Sequence, residues 1–157
     1  MKKGILTGLG FGLTSGVIAT LGLIVGLFSA IHSRTVVIGG ILIIAIADSL
    51  SDALGIHISK EFEKNSTKHI WTATFSTFLS KLILALSFLI PFLLFELKTA
   101  IIVSIVYGLL ILIILSWYIA KRNKDNKIIV IVEHLLIAIA VIIITYYLGK
   151  FVSIYFK

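Results

Sequence analysis

The sequence is dominated by apolar runs that are too long for the interior of a small soluble domain. Several of them reach or pass the roughly 20 residues that a helix needs to cross about 30 Å of hydrocarbon. The chain has 157 residues, of which 59% are hydrophobic and only 13% are charged. A soluble domain of this length could not bury so much apolar surface. The sequence therefore predicts an integral membrane protein in a lipid bilayer.

Short polar joints divide the chain into five predicted membrane helices. We expect these helices at about 4–30, 35–58, 70–95, 99–120 and 128–150. The first run follows two lysines, but it is too long for a secretory signal and lacks a small-residue cleavage site. No joint is long enough to form a second domain. We therefore predict one all-α transmembrane bundle comprising residues 1–157.

The basic residues indicate how the bundle is oriented. Nine of them lie at the N-terminus and in the second and fourth joints: Lys2, Lys3, Lys60, Lys64, Lys68, Lys121, Arg122, Lys124 and Lys127. Four lie on the opposite side: Arg34, Lys98, Lys150 and Lys157. The positive-inside rule then predicts a cytoplasmic N-terminus and an external C-terminus. Because these charges sit at helix ends, we expect no nucleic-acid partner.

The first helix carries a regular stripe of small residues. Gly4, Gly8, Gly12 and Gly16 recur every four residues and so share one face. Small residues let helix backbones approach closely inside membranes. The stripe predicts tight packing within the bundle or at a dimer face, and it is also compatible with a flexible helix that lines a pathway.

Polar residues inside the predicted spans fall into two tiers. At about 1.5 Å per residue, Ser15, Asp48 and Lys81 lie roughly 16 to 18 Å from the cytoplasmic ends of their helices, near the midplane. A second tier lies nearer the cytoplasm and consists of Asp52, Glu133, His134 and His57, the last of which is close enough to the surface for an ordinary solvated role. Asp48 and Asp52 are four residues apart, so they share one face of the second helix.

Two interpretations of these charges remain open. Asp48 and Lys81 could form a structural ion pair that joins the second and third helices. Alternatively, the charges line a pathway for cations or protons, because ionisable residues are costly inside a membrane and usually functional. Asp52 has no obvious basic partner in the sequence, which favours it as the residue that takes up a proton or a metal.

Enzyme classes find little support in the residues. The two aspartates lie on one helix, whereas an intramembrane aspartyl protease needs them on different helices. The sequence has no HExxH motif, phosphate-binding loop or Ser–His pairing. With no cysteine and only the initiator methionine, a metal would be bound by oxygen or imidazole ligands. We expect no enzyme activity and no bound cofactor, and we expect the uncharged fourth helix to face lipid.

Motifs in four of the helices occur in a familiar order. They are Ser15-Gly16-Val17 and Thr20-Leu21-Gly22-Leu23, then Ala47-Asp48 and Asp52-Ala53-Leu54-Gly55, then Ile90-Pro91, and finally Thr145-Tyr146-Tyr147-Leu148-Gly149-Lys150. In this order the chain resembles the vacuolar iron transporter family of ferrous iron and manganese carriers, which are five-helix dimers. Ser15 stands where that family has an acid, and Ile56 where it has a methionine. The joint of eleven residues after the second helix also cannot hold the family's cytoplasmic metal-binding domain.

The resemblance implies a dimeric carrier, and we expect it in a prokaryotic cell membrane. It would export divalent cations, iron or manganese, from the cytoplasm, either alone or in exchange for protons. Of the family's transport residues only Asp48 carries over, in the position of a glutamate, so the metal ligands would be Asp48 together with Asp52 and Glu133, which take over the ligand role. Ser15, Lys81 and His134 would line the same pathway. Two alternatives stay open, namely a carrier of another substrate whose metal site is lost, and a membrane scaffold that transports nothing.

Overall fold

The computed structural model describes residues 2–156, apart from the side chain of Lys2. Met1 and Lys157 lie outside the described residues. Lys157 is one of the four basic residues that the sequence assigned to the outer side. Over this range the chain forms six helices and no strand. They are α1 (Lys2–Ile31), α2 (Arg34–Phe62), α3 (Thr67–Ser87), α4 (Leu89–Leu94), α5 (Leu97–Asn123) and α6 (Lys127–Tyr155).

The predicted membrane architecture is confirmed. With α3 and α4 taken as one crossing, residues 2–156 contain five helical units long and apolar enough to span a bilayer. Each unit extends past the expected span at one or both ends, because the helical backbone continues into the polar segments outside the apolar run. Asn126, for example, begins α6 by accepting hydrogen bonds from the backbone N–H groups of Ile128 and Ile129.

The third crossing is interrupted by the only proline. Pro91 has no N–H, and its ring clashes with the carbonyl of Ser87 in a regular helix, so α3 ends at Ser87 and α4 begins at Leu89. Side chains from other helices contact the interrupted segment. The Tyr107 hydroxyl donates to Ser87 Oγ at 2.9 Å, and the Arg34 guanidinium donates to the carbonyl of Phe92.

Helix α1 is the centre of the bundle. It packs against α2, α3, α5 and α6, and its contacts with α3 and α6 are the most extensive. Val17, Leu21 and Ile24 on α1 are almost fully buried in the apolar core. The starts of α1, α3 and α6 and the ends of α2 and α5 share one end of the bundle, which we call the basic end because most of the Lys and Arg residues lie there.

The glycine stripe of α1 faces α3 within the same chain. A Cβ atom added at Gly8 would lie 2.5 Å from the carbonyl oxygen of Ala73, and one added at Gly12 would overlap the Ser80 hydroxyl. Gly4 and Gly16 also face α3 side chains or backbone. The two helix backbones can therefore approach closely only because these positions lack side chains.

The expectation that the uncharged fourth membrane helix faces lipid was wrong for one of its faces, because one side of α5 is buried in the bundle. Residues at every fourth position are buried against the rest of the bundle, namely Ala100, Ser104, Gly108, Leu112, Ser116 and Ala120. A Cβ atom on Gly108 would lie 2.8 Å from the Leu21 side chain. The repeat of small residues in this stripe is the sequence signal for this packing, whereas the absence of charge does not distinguish a buried face from one that meets lipid. The opposite face, with Ile102 and Ile114, is exposed.

A pair of one-methyl substitutions tests the packing of α1 on α3. Gly8→Ala should lower the free energy of unfolding by about 1 to 3 kcal/mol, because the new methyl group meets α3 backbone. Gly10→Ala adds the same methyl group where nothing lies within 4 Å, so the higher helix propensity of alanine should stabilise by up to about 1 kcal/mol. Thermal unfolding of the two purified variants in detergent measures the difference, and equal stabilities would contradict the close contact.

Candidate functional site

Three helices bring polar side chains together in the middle of the bundle. Asp48 lies midway along α2, Lys81 midway along the crossing formed by α3 and α4, and Ser15 close to the middle of α1. Asp52 lies one turn from Asp48 towards the basic end. These four residues, which we call the Lys81 cluster, are therefore far from either end of their helices.

The Lys81 side chain joins both aspartates. Its Nζ atom lies 2.6 Å from Asp48 Oδ2 and donates a still shorter hydrogen bond to Asp52 Oδ2. The Ser15 hydroxyl donates to the same oxygen of Asp52 at 2.7 Å. The expectation that Asp52 lacks a basic partner was therefore wrong. A long lysine side chain can reach a point between two carboxylates that are one helical turn apart, which a comparison of depths along each helix does not reveal.

The electrostatic balance of the cluster is uneven. Lys81 is only 3% exposed, whereas the side chains of Asp48 and Asp52 are 30% and 23% exposed. Two carboxylates and one ammonium have a formal charge of −1. Asp48 Oδ2 is buried, and within the described residues its polar partner is the Lys81 ammonium, with which it forms an ion pair. The carboxylates thus retain unused acceptor capacity beside the cation that they already hold.

The surface of α2 next to the two aspartates is open. Ala47, Ser51 and Gly55 are exposed and carry little or no side chain, and nothing in the chain lies within 4 Å of a Cβ atom added at Gly55. Small residues at these positions leave a path from the outside of the chain to the two carboxylates. The cluster is therefore closed by α1 and α3 on one side and accessible along α2 on the other.

Two residues expected in the pathway lie elsewhere. Glu133 is exposed on α6, which packs mainly against α1 and α5. The His134 ring lies beside α5, with its Nδ1 atom 2.8 Å from the Ser116 hydroxyl. Across residues 2–156 there is no group of three or more Asp, Glu or His side chains placed to hold a metal ion. One chain therefore does not bring Glu133 to the two aspartates.

A second polar link joins α2 and α3 at His57, a residue of the shallower tier for which the sequence indicated only a solvated role. His57 Nδ1 lies 3.0 Å from the Thr74 hydroxyl, and the His57 ring meets the edge of Trp71 with centroids 4.8 Å apart. Nothing in the spacing of these residues pairs them, because they meet only through the way α2 packs on α3. The link lies between the Lys81 cluster and the basic end.

Ionisable residues enclosed at the middle of membrane-spanning helices are characteristic of polytopic transport proteins. Within this class the chain belongs to the VIT family, whose model matches residues 56–150, and the resemblance to the vacuolar iron transporters is confirmed. The family indicates a membrane transporter of metal or other ions, and its members are not enzymes. The matched segment contains Lys81 but starts after Ser15, Asp48 and Asp52. No curated protein and no solved structure matches the chain.

The charge imbalance of the Lys81 cluster predicts an order of stability. Lys81→Met should lower the free energy of unfolding by about 3 to 5 kcal/mol, because it strands two carboxylates beside each other inside the bundle. Asp48→Asn should cost less, because Lys81 keeps Asp52 as a partner. The triple variant Lys81→Met, Asp48→Asn, Asp52→Asn should recover most of the loss. Thermal unfolding in detergent provides the ranking, and a Lys81→Met variant as stable as the parent would refute it.

Proposed function

We propose that this protein exports divalent metal cations such as Fe²⁺ and Mn²⁺ from the cytoplasm, with Asp48 and Asp52 as the ligands. The observation that carries the proposal is that these two carboxylates, in the middle of a membrane bundle, converge on a single cation, the Lys81 ammonium. Carboxylate oxygens are ligands that suit hard divalent ions. The two carboxylates that bind the Lys81 ammonium can bind a metal ion instead once the ammonium has moved away.

Lys81 has a specific role in this proposal, that of a resident cation. The cluster has a formal charge of −1 with Lys81 in place, so a divalent ion entering beside the ammonium would make it +1. If the ammonium moves aside, two carboxylates neutralise a divalent ion. Lysine has a flexible stem of four carbons, and such a displacement needs only changes of its rotamers. The metal ion and the Lys81 ammonium would thus occupy the carboxylates in turn.

We propose that the working unit is a homodimer. Asp48 and Asp52 are partly exposed on the surface of α2, at a depth where that surface would otherwise meet hydrocarbon. A charged side chain facing lipid at the helix centre costs at least about 2.5 to 3.5 kcal/mol. A second copy covering the open face of α2 would remove this cost. It would also surround the pathway and could supply the ligands that one chain lacks.

The proposed direction of transport rests on the distribution of charge. The basic end carries nine of the lysines and arginines, so we orient it towards the cytoplasm of a prokaryotic cell. Glu133 and His134 lie about 9 to 11 Å from the start of α6 and would attract cations at this entrance. Because the chain has no cysteine, single cysteines at Ser33 and Ser66 can be labelled in intact cells with an impermeant reagent. Labelling at position 66 alone would reverse the orientation.

Exchange for protons is the coupling that we propose. After a divalent ion leaves, the two carboxylates can be neutralised again by Lys81 together with a proton. The return of a protonated cluster would carry protons against the flow of metal. An imposed proton gradient across sealed vesicles should therefore accelerate metal flux, and flux indifferent to the gradient would argue for uncoupled transport.

Flux through reconstituted protein tests the ligand roles. Asp48→Asn and Asp52→Asn should each lower Mn²⁺ flux into proteoliposomes about ten-fold or more, the effect of losing about 1.4 kcal/mol of ligand binding. Glu133→Gln should have a smaller effect, because Glu133 lies outside the Lys81 cluster. Ser153→Ala, on the exposed last turns of α6, is the control for reconstitution. All variants are compared at equal amounts of folded protein.

The same measurement distinguishes two rival functions. One rival is a carrier of a different substrate, in which the ammonium has permanently replaced the metal. The simultaneous contact of the Lys81 ammonium with Asp48 and Asp52 favours this rival. That rival predicts no Mn²⁺ or Fe²⁺ flux through the parent protein. In a scaffold, the cluster would serve only to join α1, α2 and α3. The scaffold function predicts that the neutral triple variant folds. It also predicts that no cation, metal or otherwise, crosses the membrane through the parent protein or through that variant.

A further inference from the structure

A groove of about 550 Å³ separates α1 from α5 at the basic end, on the far side of α1 from the stripe that packs on α3. Its volume lies within the range of about 300 to 1,000 Å³ typical of sites that hold small molecules. The groove includes none of the residues of the Lys81 cluster. Whatever occupies it therefore has a role separate from the proposed cation pathway.

The lining of the groove changes along its length. At the mouth lie two cationic side chains, Lys3 and Arg122, together with the polar groups of Tyr118 and Asn123. Towards the middle of the bundle the walls are apolar and include Leu13 and Leu115. Such a site is positively charged at the membrane surface and hydrocarbon-like inside. This is the charge pattern that complements an amphipathic anion.

The depth of the groove matches one leaflet of the bilayer. From Lys3 to Leu13 the helix rises about 15 Å, which is half of the roughly 30 Å thickness of the hydrocarbon core. An acyl chain anchored by a headgroup at the mouth would thus end near the midplane. A water-soluble anion would leave the apolar part of the groove unused.

The cations at the mouth are available for a ligand. Neither Lys3 nor Arg122 forms an ion pair with an acidic side chain in the described part of the chain. The neighbouring Lys121 is engaged differently, because its Nζ atom lies 5.0 Å from the centroid of the Trp117 ring.

The inner wall of the groove leaves room for a ligand at Gly10. This residue lines the groove, and nothing lies within 4 Å of a Cβ atom added there.

We propose that this groove binds an anionic phospholipid, with the phosphate on Lys3 and Arg122 and one acyl chain between α1 and α5. Basic pockets between membrane helices are a recurring means of recognising acidic headgroups. The lipid would fill the gap that the helices leave and so hold the end of α5 against the start of α1. This assignment does not depend on the transport proposal.

The experiment uses purified protein in detergent with phosphatidylglycerol as the probe, and native mass spectrometry counts the bound lipid. Arg122→Gln should weaken binding about five-fold, the effect of one basic residue near an acidic headgroup. Lys121→Gln removes the same charge one residue away and should leave binding unchanged. Gly10→Leu should also weaken binding, because its side chain would enter the space of the acyl chain from a position where nothing lies within 4 Å of an added Cβ atom.

Two further probes identify what is recognised. Phosphatidylcholine should bind more weakly than phosphatidylglycerol, and inorganic phosphate should not raise the unfolding temperature. Equal effects of Arg122→Gln and Lys121→Gln would overturn the proposal in favour of unspecific attraction to the basic end. Unchanged lipid binding by Gly10→Leu would show that no acyl chain enters the groove. Stabilisation by phosphate alone would make the mouth a simple anion site.

Discussion

The close approach of α1 and α3 is the constraint on which the rest of the structure depends. Glycines at every fourth position of α1 let the two backbones approach closely. The last of them, Gly16, lies beside Lys81 of the Lys81 cluster. A Cβ atom on Gly16 would lie 3.2 Å from Cγ of Lys81. The stem of the lysine thus lies against α1, and its ammonium reaches both aspartates of α2, one of which also accepts a hydrogen bond from Ser15. A larger residue on the stripe would move the cation away from its partners.

The Lys81 cluster contains more acidic than basic side chains, which distinguishes it from a simple structural ion pair. A structural ion pair needs one acid for one base, whereas this cluster has two acids, both partly exposed, around a nearly buried lysine. The surplus carboxylate is costly to keep inside a membrane unless something else neutralises it. A cation that passes through, or a proton that takes its place, would do so. The imbalance of charge is therefore the physical reason to prefer a pathway over a purely structural role.

The sequence was sufficient for the fold but not for every contact in the site. Apolar length defined the membrane crossings, and the spacing of Gly4 to Gly16 marked a face for close packing. Depth along each helix brought Lys81 to the level of Asp48, and the two side chains do meet. Ser15, assigned to the same level, instead donates to Asp52, which the depths had assigned to the shallower tier. The pairing of Lys81 with Asp52 was missed, because the reach of a flexible side chain does not follow from the level of its backbone. The contact between Ser116 and His134 was missed for a different reason, since it depends on which face of α5 meets α6.

The central claim is that Lys81 occupies the place of a metal ion, and the unfolding temperature of Lys81→Met as a function of Mn²⁺ concentration tests it most directly. A ligand that binds only the folded state raises its stability by RT ln(1 + c/Kd) at a free ligand concentration c, so tighter binding and a higher ligand concentration both raise the unfolding temperature. Without the ammonium, Mn²⁺ should bind the two carboxylates and restore much of the stability that the substitution removes. The parent protein should respond less, and the neutral triple variant should not respond. A Lys81→Met variant whose unfolding temperature is indifferent to Mn²⁺, or rises no more than that of the triple variant, would contradict the account.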